Sequence, residues 1–303
     1  MKAAAREALR TLLDDRVRFD VPLARLTSLR VGGPAAAVAT PADRAELAAL
    51  LRLCARFRLD HQLLGGGFNV LALDSGLPGV VIQLSRFRQL AERPGALRVE
   101  AGVSHSQLTR WCIERGLGGL EFGAGIPGTV GGWLAMNAGI PKQEVKDAVL
   151  SLEVMSPTGR HRRHLPKERL HFRYRALHGL AVGSVVISAL LRVTPEPREA
   201  VRGRVDALLA RRSGTQPLNV PSCGSVFMNP PGDHAGRLIE AAGLKGHRIG
   251  GAEISPVHAN FIANTGGATA KDVLALIREA QRRVLQDSGY RLRREVRIVG
   301  GNT

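Results

Sequence analysis

The chain has 303 residues, 44% of them hydrophobic and 23% charged, and its 43 Lys plus Arg against 26 Asp plus Glu give a formal charge of +17. That composition excludes a disordered tail, a collagen-like repeat and a disulfide scaffold, and the length predicts two or three sub-domains around a substantial core. The longest uncharged apolar stretch, residues 180–191, falls short of the roughly 18 residues of a membrane span, and Arg6, Glu7, Arg10, Asp14 and Asp15 interrupt any apolar leader, so a cytoplasmic protein with no membrane partner is expected.

In chain order, a helix is predicted over residues 3–13 and a second over 41–57, with Thr40 as its cap and Pro41 in the first helical position. A short strand at 61–64 ends in Gly65, Gly66, Gly67, Phe68 and Asn69, and a buried strand follows at 79–84. Residues 97–101 read as a strand and 104–115 as a helix stopped by Gly116, after which comes a dense glycine segment, 116–139. Residues 150–155, the turn Ser156, Pro157, Thr158, Gly159 and residues 160–164 suggest a hairpin, and 184–193 another strand. Pro195 and Pro197 punctuate a domain boundary, beyond which a helix is predicted at 198–211. A capped helix follows at 233–242, ending at Gly243, then a strand at 261–263. Thr269 and Asp272 resemble a capping box opening a long helix to about Gln286, and a last strand covers 292–299. The architecture reads as mixed α+β.

Of the 43 cations 37 are arginine, spread along the chain with local density at 160–175 and 291–297. No helix-turn-helix, finger or RNP pattern accompanies them, so a solvated basic surface is the preferred reading and no nucleic-acid partner is expected. An arginine-rich nucleic-acid-binding protein is the rival from a different class, and the same charge suits anionic small molecules. Cys54, Cys112 and Cys223 are odd in number and far apart, which favours a reducing compartment over disulfides or a zinc knuckle. His161, His164, His171 and His178 lie in a basic stretch without thiols or paired carboxylates, and no metal is expected.

Gly65, Gly66 and Gly67 followed by Asn69 can hold backbone N–H groups at positive φ, a concave donor surface that suits a pyrophosphate. Alone, such a loop is more often an ordinary turn. A second cluster, Gly123, Ala124, Gly125, Ile126, Pro127, Gly128, Thr129, Val130, Gly131 and Gly132, shifts the weight towards a long dinucleotide. Gly123, Gly125 and Gly128 match G-x-G-x-x-G, but the preceding residues make a poor strand and Pro127 sits inside the motif, which argues against a Rossmann fingerprint. No Walker lysine is present. Residues 221–227 place the Cys223 thiol and the Ser225 hydroxyl beside Gly224, without the Gly-x-Ser-x-Gly elbow of a hydrolase, so Cys223 reads as a packed residue. Alternation in the last strand puts Glu295 on a face with Arg293 and Arg297, where a solvated ion pair is the default reading.

Taken in order, Thr27-Ser28-Leu29-Arg30-Val31-Gly32-Gly33-Pro34-Ala35, residues 64–69, residues 125–132, Met136-Asn137-Ala138-Gly139, residues 172–175, residues 222–225, residues 241–246, His258-Ala259-Asn260-Phe261 and residues 295–297 resemble the UDP-N-acetylenolpyruvoylglucosamine reductase family of peptidoglycan synthesis. The resemblance implies an FAD-binding fold of the vanillyl-alcohol-oxidase type in two sub-domains, 1–84 and 85–197, plus an α+β substrate-binding domain at 198–289. Residues 290–303 are expected to return to the first sub-domain. It implies noncovalent FAD cradled by Gly65, Gly66, Gly67, Asn69, Gly125, Ile126, Pro127, Gly128, Thr129, Gly131 and Gly132, with NADPH as hydride donor and a UDP-sugar as substrate. Another FAD-dependent oxidoreductase of the same flavin fold is the alternative, and a monomer is expected.

Arg175, Ser225 and Glu295 fall on the family's catalytic Arg, Ser and Glu. By that resemblance, Arg175 and Glu295 stabilise charge on the substrate carboxylate, Glu295 only if it is protonated or shares a proton, and Ser225 delivers a proton to carbon. The chain departs from the family pattern at Phe68, where Ser or Thr is usual, at Trp133, where a small residue is usual, and at Met228, where Lys or Arg is usual. Arg293-Arg294 and Ala176-Leu177 also replace the common neighbours of the catalytic positions.

Overall fold

Ala5, Leu9 and Leu13 recur at four-residue intervals, and the helix Ala3–Leu13 buries those three, as its periodicity requires. The computed structural model describes residues 1–217 and 219–301. Its chain divides into two compact units: one comprises Met1–Phe19, Ala37–Gly66 and Gly79–Arg211, and the other comprises residues 20–36, 67–78 and the described residues from 212 onward.

In the first unit the second helix is Arg44–Phe57, starting three residues later than its sequence suggests, because Asp43 and not Thr40 caps it. The Asp43 carboxylate accepts from the N–H groups of both Ala45 and Glu46, at 2.8 and 2.9 Å, and two satisfied donors fix the boundary. Leu47, Leu50, Leu51 and Cys54 pack with Leu9, Leu13, Val80 and Ile82. His61–Leu63 runs parallel to Leu77–Ile82 in a four-stranded sheet whose order is completed by Pro34–Ala39 and Val17–Pro22. Sequence reading does not single out the last two strands: Val17–Pro22 does alternate, with Val17 and Val21 buried, but is only six residues long, and Pro34–Ala39 is a run of small residues without alternation.

A five-stranded antiparallel sheet orders Arg162–Pro166, Val149–Met155, Val185–Arg192, Ala96–Glu100 and Leu90–Arg93. Leu97, Val99, Val149, Leu152 and Leu191 form its core with Val130, Trp133 and Leu134 of the helix Val130–Met136, which lies inside the glycine segment and was not expected there. Helix His105–Arg115 is stopped as expected by Gly116, left-handed at φ 62°, and its start is closed by a capping box of Ser104 and Gln107 that sequence reading does not single out. Helix Arg198–Ser213 contributes Val201 and Val205 as its buried residues.

A buried carboxylate ties this unit together. Glu153, its side chain 3% exposed, accepts from Arg44 Nε and Nη2 at 2.8 and 2.9 Å, from Ser188 Oγ at 2.7 Å and from Arg98 Nη2 at 3.0 Å, with Arg162 Nη1 at 3.5 Å. Arg44 Nη1 reaches on to Glu100 at 2.8 Å. Burial alone pushes the Glu153 carboxyl up, but the hydrogen bonds of Arg44 and Ser188, the charge of Arg44 and the bond from Arg98 outweigh it and hold it at about 2.

In the second unit an antiparallel sheet orders Ser222–Ser225, Phe261–Asn264, Ala252–Ile254 and Arg248–Ile249. Helix Ala270–Ser288 carries the expected capping box of Thr269 and Asp272, and the Asp74 carboxylate also takes the N–H groups of Ala270 and Lys271, at 2.9 and 3.0 Å. Helix Ala235–Ala241 begins later than predicted: Asp233 pairs with Arg237, and Asn229 Oδ1 takes the Ala235 N–H at 3.0 Å. Val273, Leu276, Ile277, Leu238 and Ile239 fill the core between these helices and the sheet. The predicted last strand 292–299 is reduced to Arg297–Val299, parallel to Val70–Ala72, because residues 293–296 bond instead to the segment 226–228. Among the described residues no helix is long and apolar enough to cross a membrane.

The Glu153 cluster sets a pH signature. Glu153→Gln keeps the shape but removes the charge that two buried arginine contacts need, and costs about 3 kcal/mol in urea unfolding at pH 7. A depressed acid contributes stability that is complete above its ordinary value of 4.5 and lost as pH falls towards 2. The gap between wild type and variant therefore narrows as pH is lowered below 4.5; a gap that stays constant with pH contradicts the assignment.

Candidate active site

The strand His61–Leu63 delivers Gly65 and Gly66, both exposed, to the second glycine segment. A Cβ at Gly65 would stand 2.7 Å from Thr129 Oγ1, so the two segments meet with a single hydroxyl in the space. Gly125 and Gly128 have φ of +73° and +120°. The segment is held from within by Ile126 N–H to Gly123 O, Val130 N–H to Val103 O and Gly131 N–H to Ala101 O, each 2.9 Å. Gly131 thus has a packing role, its N–H being spent on Ala101. Trp133, one of the departures from the family pattern, is accommodated by Gly123: its ring lies 2.1 Å from where a Cβ would be, and its Nε1 donates to Ile126 O at 3.2 Å. Gly65, Gly66 and Gly132 leave an exposed, side-chain-free backbone surface that fits a diphosphate.

Arg175 lies in the same unit, in the two-residue turn between the antiparallel strands His171–Arg173 and Ala176–His178. Its φ of 58° is left-handed, a conformation costly for a residue with a Cβ. The guanidinium sits with Nη1 3.9 Å from Glu144 Oε1 and its Cζ 4.8 Å from the Tyr174 ring centre. Asn137, fully buried and itself left-handed at φ 42°, closes the helix Val130–Met136 and donates from Nδ2 to Glu144 Oε2 at 2.8 Å and to Arg173 O at 3.0 Å. Lys146 Nζ is 2.6 Å from Glu144 Oε2, and that hydrogen bond raises the Lys146 ammonium above its ordinary value.

In the second unit Gly67 is fixed by contact as well as conformation: at φ +69° a Cβ would stand 2.1 Å from Leu26 O. Ser28 joins this loop to the strand of Ser225, its N–H donating to Gly67 O at 3.1 Å and its Oγ to Ser222 O at 2.6 Å. Ser222–Ser225 pairs with Phe261–Asn264 through a bulge, Ser222 opposite Ala263 but Ser225 opposite Phe261, with Gly224 at φ +74°. The extra residue re-aims Ser225 relative to a regular strand. Asn260, buried, then holds the chain just beyond Ser225: its Oδ1 accepts from Phe227 N–H at 2.9 Å and its Nδ2 donates to Phe227 O at 2.8 Å. Cys223 belongs to the core, and burial pushes its thiol up to about 12, which removes it as a nucleophile.

Glu295 is brought to this strand through the backbone. Its N–H donates to Val226 O at 2.8 Å, and Asn69 Nδ2 donates to Glu295 O at 3.1 Å while Asn69 O accepts from Arg297 N–H at 3.1 Å. The segments of Ser225, Glu295 and Asn69 are therefore joined side by side by hydrogen bonds. Phe68 is 39% exposed, beside this stretch. Sequence reading assigned no role to Ser28, Asn137, Glu144 or Asn260. The signal for three of them was a polar residue inside an otherwise apolar or glycine-rich motif.

Comparison with known proteins follows this geometry. The C-terminal domain profile of UDP-N-acetylenolpyruvoylglucosamine reductase matches residues 216–299, and an FAD binding domain profile matches 35–164. UDP-N-acetylenolpyruvoylglucosamine reductase 2 of Symbiobacterium thermophilum is 44% identical over 299 residues, 98% of this chain and 97% of that relative. The reductase of Alkalilimnicola ehrlichii is 46% identical over 299 residues, 97% of this chain and 98% of its own. The crystal structure of the reductase from Thermus caldophilus superposes with a TM-score of 0.80 at 38% identity, covering 93% of this chain and 99% of that one. Berberine bridge enzyme, at 16% identity and a TM-score of 0.51 over 65% of this chain and 44% of its own, shares the fold.

Gly67 and Gly267 allow the steric constraint to be separated from the conformational one. Their φ values are +69° and +67°, but a Cβ at Gly267 meets nothing within 4 Å. Gly267→Ala is expected to cost about 1 kcal/mol of backbone strain, and Gly67→Ala several-fold more because the Leu26 carbonyl cannot be moved cheaply. Thermal unfolding of the two variants compares them directly, and equal losses would remove the close approach as the reason for Gly67.

Proposed function

We propose, because the chain belongs to the UDP-N-acetylenolpyruvoylglucosamine reductase family, that it reduces the enolpyruvyl group of UDP-N-acetylenolpyruvoylglucosamine with NADPH, working in the cytoplasm. Residues 1–84 and 85–197 are the FAD-binding sub-domains and 198–289 the substrate-binding domain. FAD, when bound, would supply the redox chemistry, hydride transfer between NADPH and the enolpyruvyl double bond. Gly65, Gly66 and the loop 125–132 would hold its diphosphate, Gly67 and Asn69 shaping the continuation of that loop. The observation that carries the reading is the pairing of the Ser225 and Glu295 segments through Val226 O, which gives one stretch of backbone both a hydroxyl and a carboxyl group.

Arg175 and Glu295 stabilise the negative charge that spreads into the substrate carboxylate as the far carbon is reduced. Glu295 does so in its protonated form, since a bare carboxylate beside a developing dianion repels it. Ser225 donates its hydroxyl proton to the adjacent carbon, and the resulting alkoxide is reprotonated from solvent. A serine is a feeble acid, yet a carbon with enolate character is a far stronger base than water, so a positioned alcohol suffices without a histidine.

The purified protein is expected to be yellow and to release FAD, not FMN, on denaturation. A colourless protein that cannot be reconstituted with FAD refutes the cofactor assignment.

Ser225→Ala keeps its flavin and is still bleached by NADPH, while reoxidation by the enolpyruvyl substrate slows by roughly two to four orders of magnitude; Ser225→Cys retains more activity than Ala. Arg175→Ala and Glu295→Ala lower turnover far more than flavin content. Anaerobic stopped-flow absorbance follows both half-reactions. Wild-type reoxidation in Ser225→Ala makes the proton-donor role untenable.

A further inference from the structure

A two-residue turn with arginine in the left-handed region is not held by its own preferences. For a residue with a Cβ that conformation is costly, and neither Tyr174 nor Arg175 is among the residues that relieve the cost by local hydrogen bonding. Within the turn the guanidinium has the Tyr174 ring, its Cζ 4.8 Å from the ring centre, and further support reaches it from outside the turn. Asn137 and Glu144 are there to supply it, from the end of the helix Val130–Met136 and from the strand Gln143–Glu144.

The bonding is specific to an asparagine. Both Nδ2 hydrogens of Asn137 are spent, one on Arg173 O at 3.0 Å and one on Glu144 Oε2 at 2.8 Å, and its Oδ1 accepts the Lys146 N–H at 3.2 Å. The first bond anchors the strand immediately before the turn. The second, with Lys146 Nζ on the same oxygen at 2.6 Å, fixes the Glu144 carboxylate so that its other oxygen, Oε1, lies 3.9 Å from Arg175 Nη1. An aspartate at 137 has the same shape, no donors, and a charge that repels Glu144. The ammonium of Lys146 is closer to Glu144 than the guanidinium is, so it takes the larger share of that carboxylate's field, and Glu144 acts on Arg175 chiefly by fixing its direction.

We infer that Asn137 and Glu144 are positioning residues for Arg175, setting the direction of its guanidinium towards an anionic substrate group without themselves touching substrate. The inference rests on the role of Arg175 proposed above. It concerns the step in which charge develops on the substrate and leaves flavin binding and flavin reduction untouched.

The test uses the flavin-loaded full chain, NADPH and UDP-N-acetylenolpyruvoylglucosamine under anaerobic rapid mixing. Glu144→Gln, which can still accept from Asn137, is expected to keep its flavin, its thermal midpoint and its rate of bleaching by NADPH, and to be reoxidised roughly tenfold more slowly or worse. Asn137→Asp gives the same selective loss; should it fail to fold, the Glu144 arm decides. In an Arg175→Ala background Glu144→Gln adds nothing further, the mark of two residues acting through one group. Wild-type reoxidation in Glu144→Gln, or the same fold-loss in both backgrounds, overturns the inference while leaving Arg175 in its role. Wild-type reoxidation in Arg175→Ala alone overturns that role and the inference with it.

Discussion

The site depends on peptide backbone with no side chain in the way. At Gly65 a single methyl group would collide with Thr129, and at Gly67 with the carbonyl of Leu26. These are constraints on what cannot be present, and they leave glycine as the one residue that satisfies both space and, at Gly67, a positive φ. In the first unit Gly65, Gly66 and Gly132 keep their backbone exposed, and in the second the amide of Asn69 turns to the carbonyl of Glu295. Even Trp133 obeys the same rule, its indole filling the volume that Gly123 vacates and bonding the loop at Ile126.

The segments of Ser225 and Arg175, to which chemistry is assigned above, are held by amides at one remove. Asn260 pairs with both polar groups of the Phe227 peptide and so fixes the chain two residues beyond Ser225. Asn137 does the corresponding work for the turn of Arg175. A buried asparagine that satisfies two donors and an acceptor is rigid in a way that an apolar residue of equal size is not, because rotation breaks every bond at once. The groups assigned to charge and proton transfer stay partly exposed, as contact with a substrate requires, and their rigidity is borrowed from these buried neighbours.

The sequence announces features with local causes and conceals those with distant ones. Ser104 with Gln107, and Thr269 with Asp272, mark helix starts within four residues, and both capping boxes form. The glycine segments stand out because few residue types fit positive φ and close approach together. Thr40 and Asp43 compete for one helix start, and only the two N–H groups that Asp43 reaches decide between them. Glu153 and Arg44 are 109 positions apart, and nothing in either's neighbourhood reveals the other. The alternation of residues 292–299 suggests one strand, yet Glu295 and Val296 both donate to Val226 and the ladder starts only at Arg297. Arg175, Ser225 and Glu295 are singled out by motif resemblance alone, while the bulge at Gly224 and the left-handed turn at Arg175 come from the structure.

The proposed reaction is a two-electron reduction of an enolpyruvyl ether by NADPH on this chain. Mass spectrometry of the UDP-sugar after incubation with the purified flavoprotein and NADPH, with absorbance recording NADPH consumed, reads it out without a coupled assay. The expected product is heavier by two hydrogen atoms and forms in equal amount to the NADPH oxidised. NADPH oxidation that leaves the UDP-sugar mass unchanged, its electrons passing to oxygen instead, would contradict that reaction.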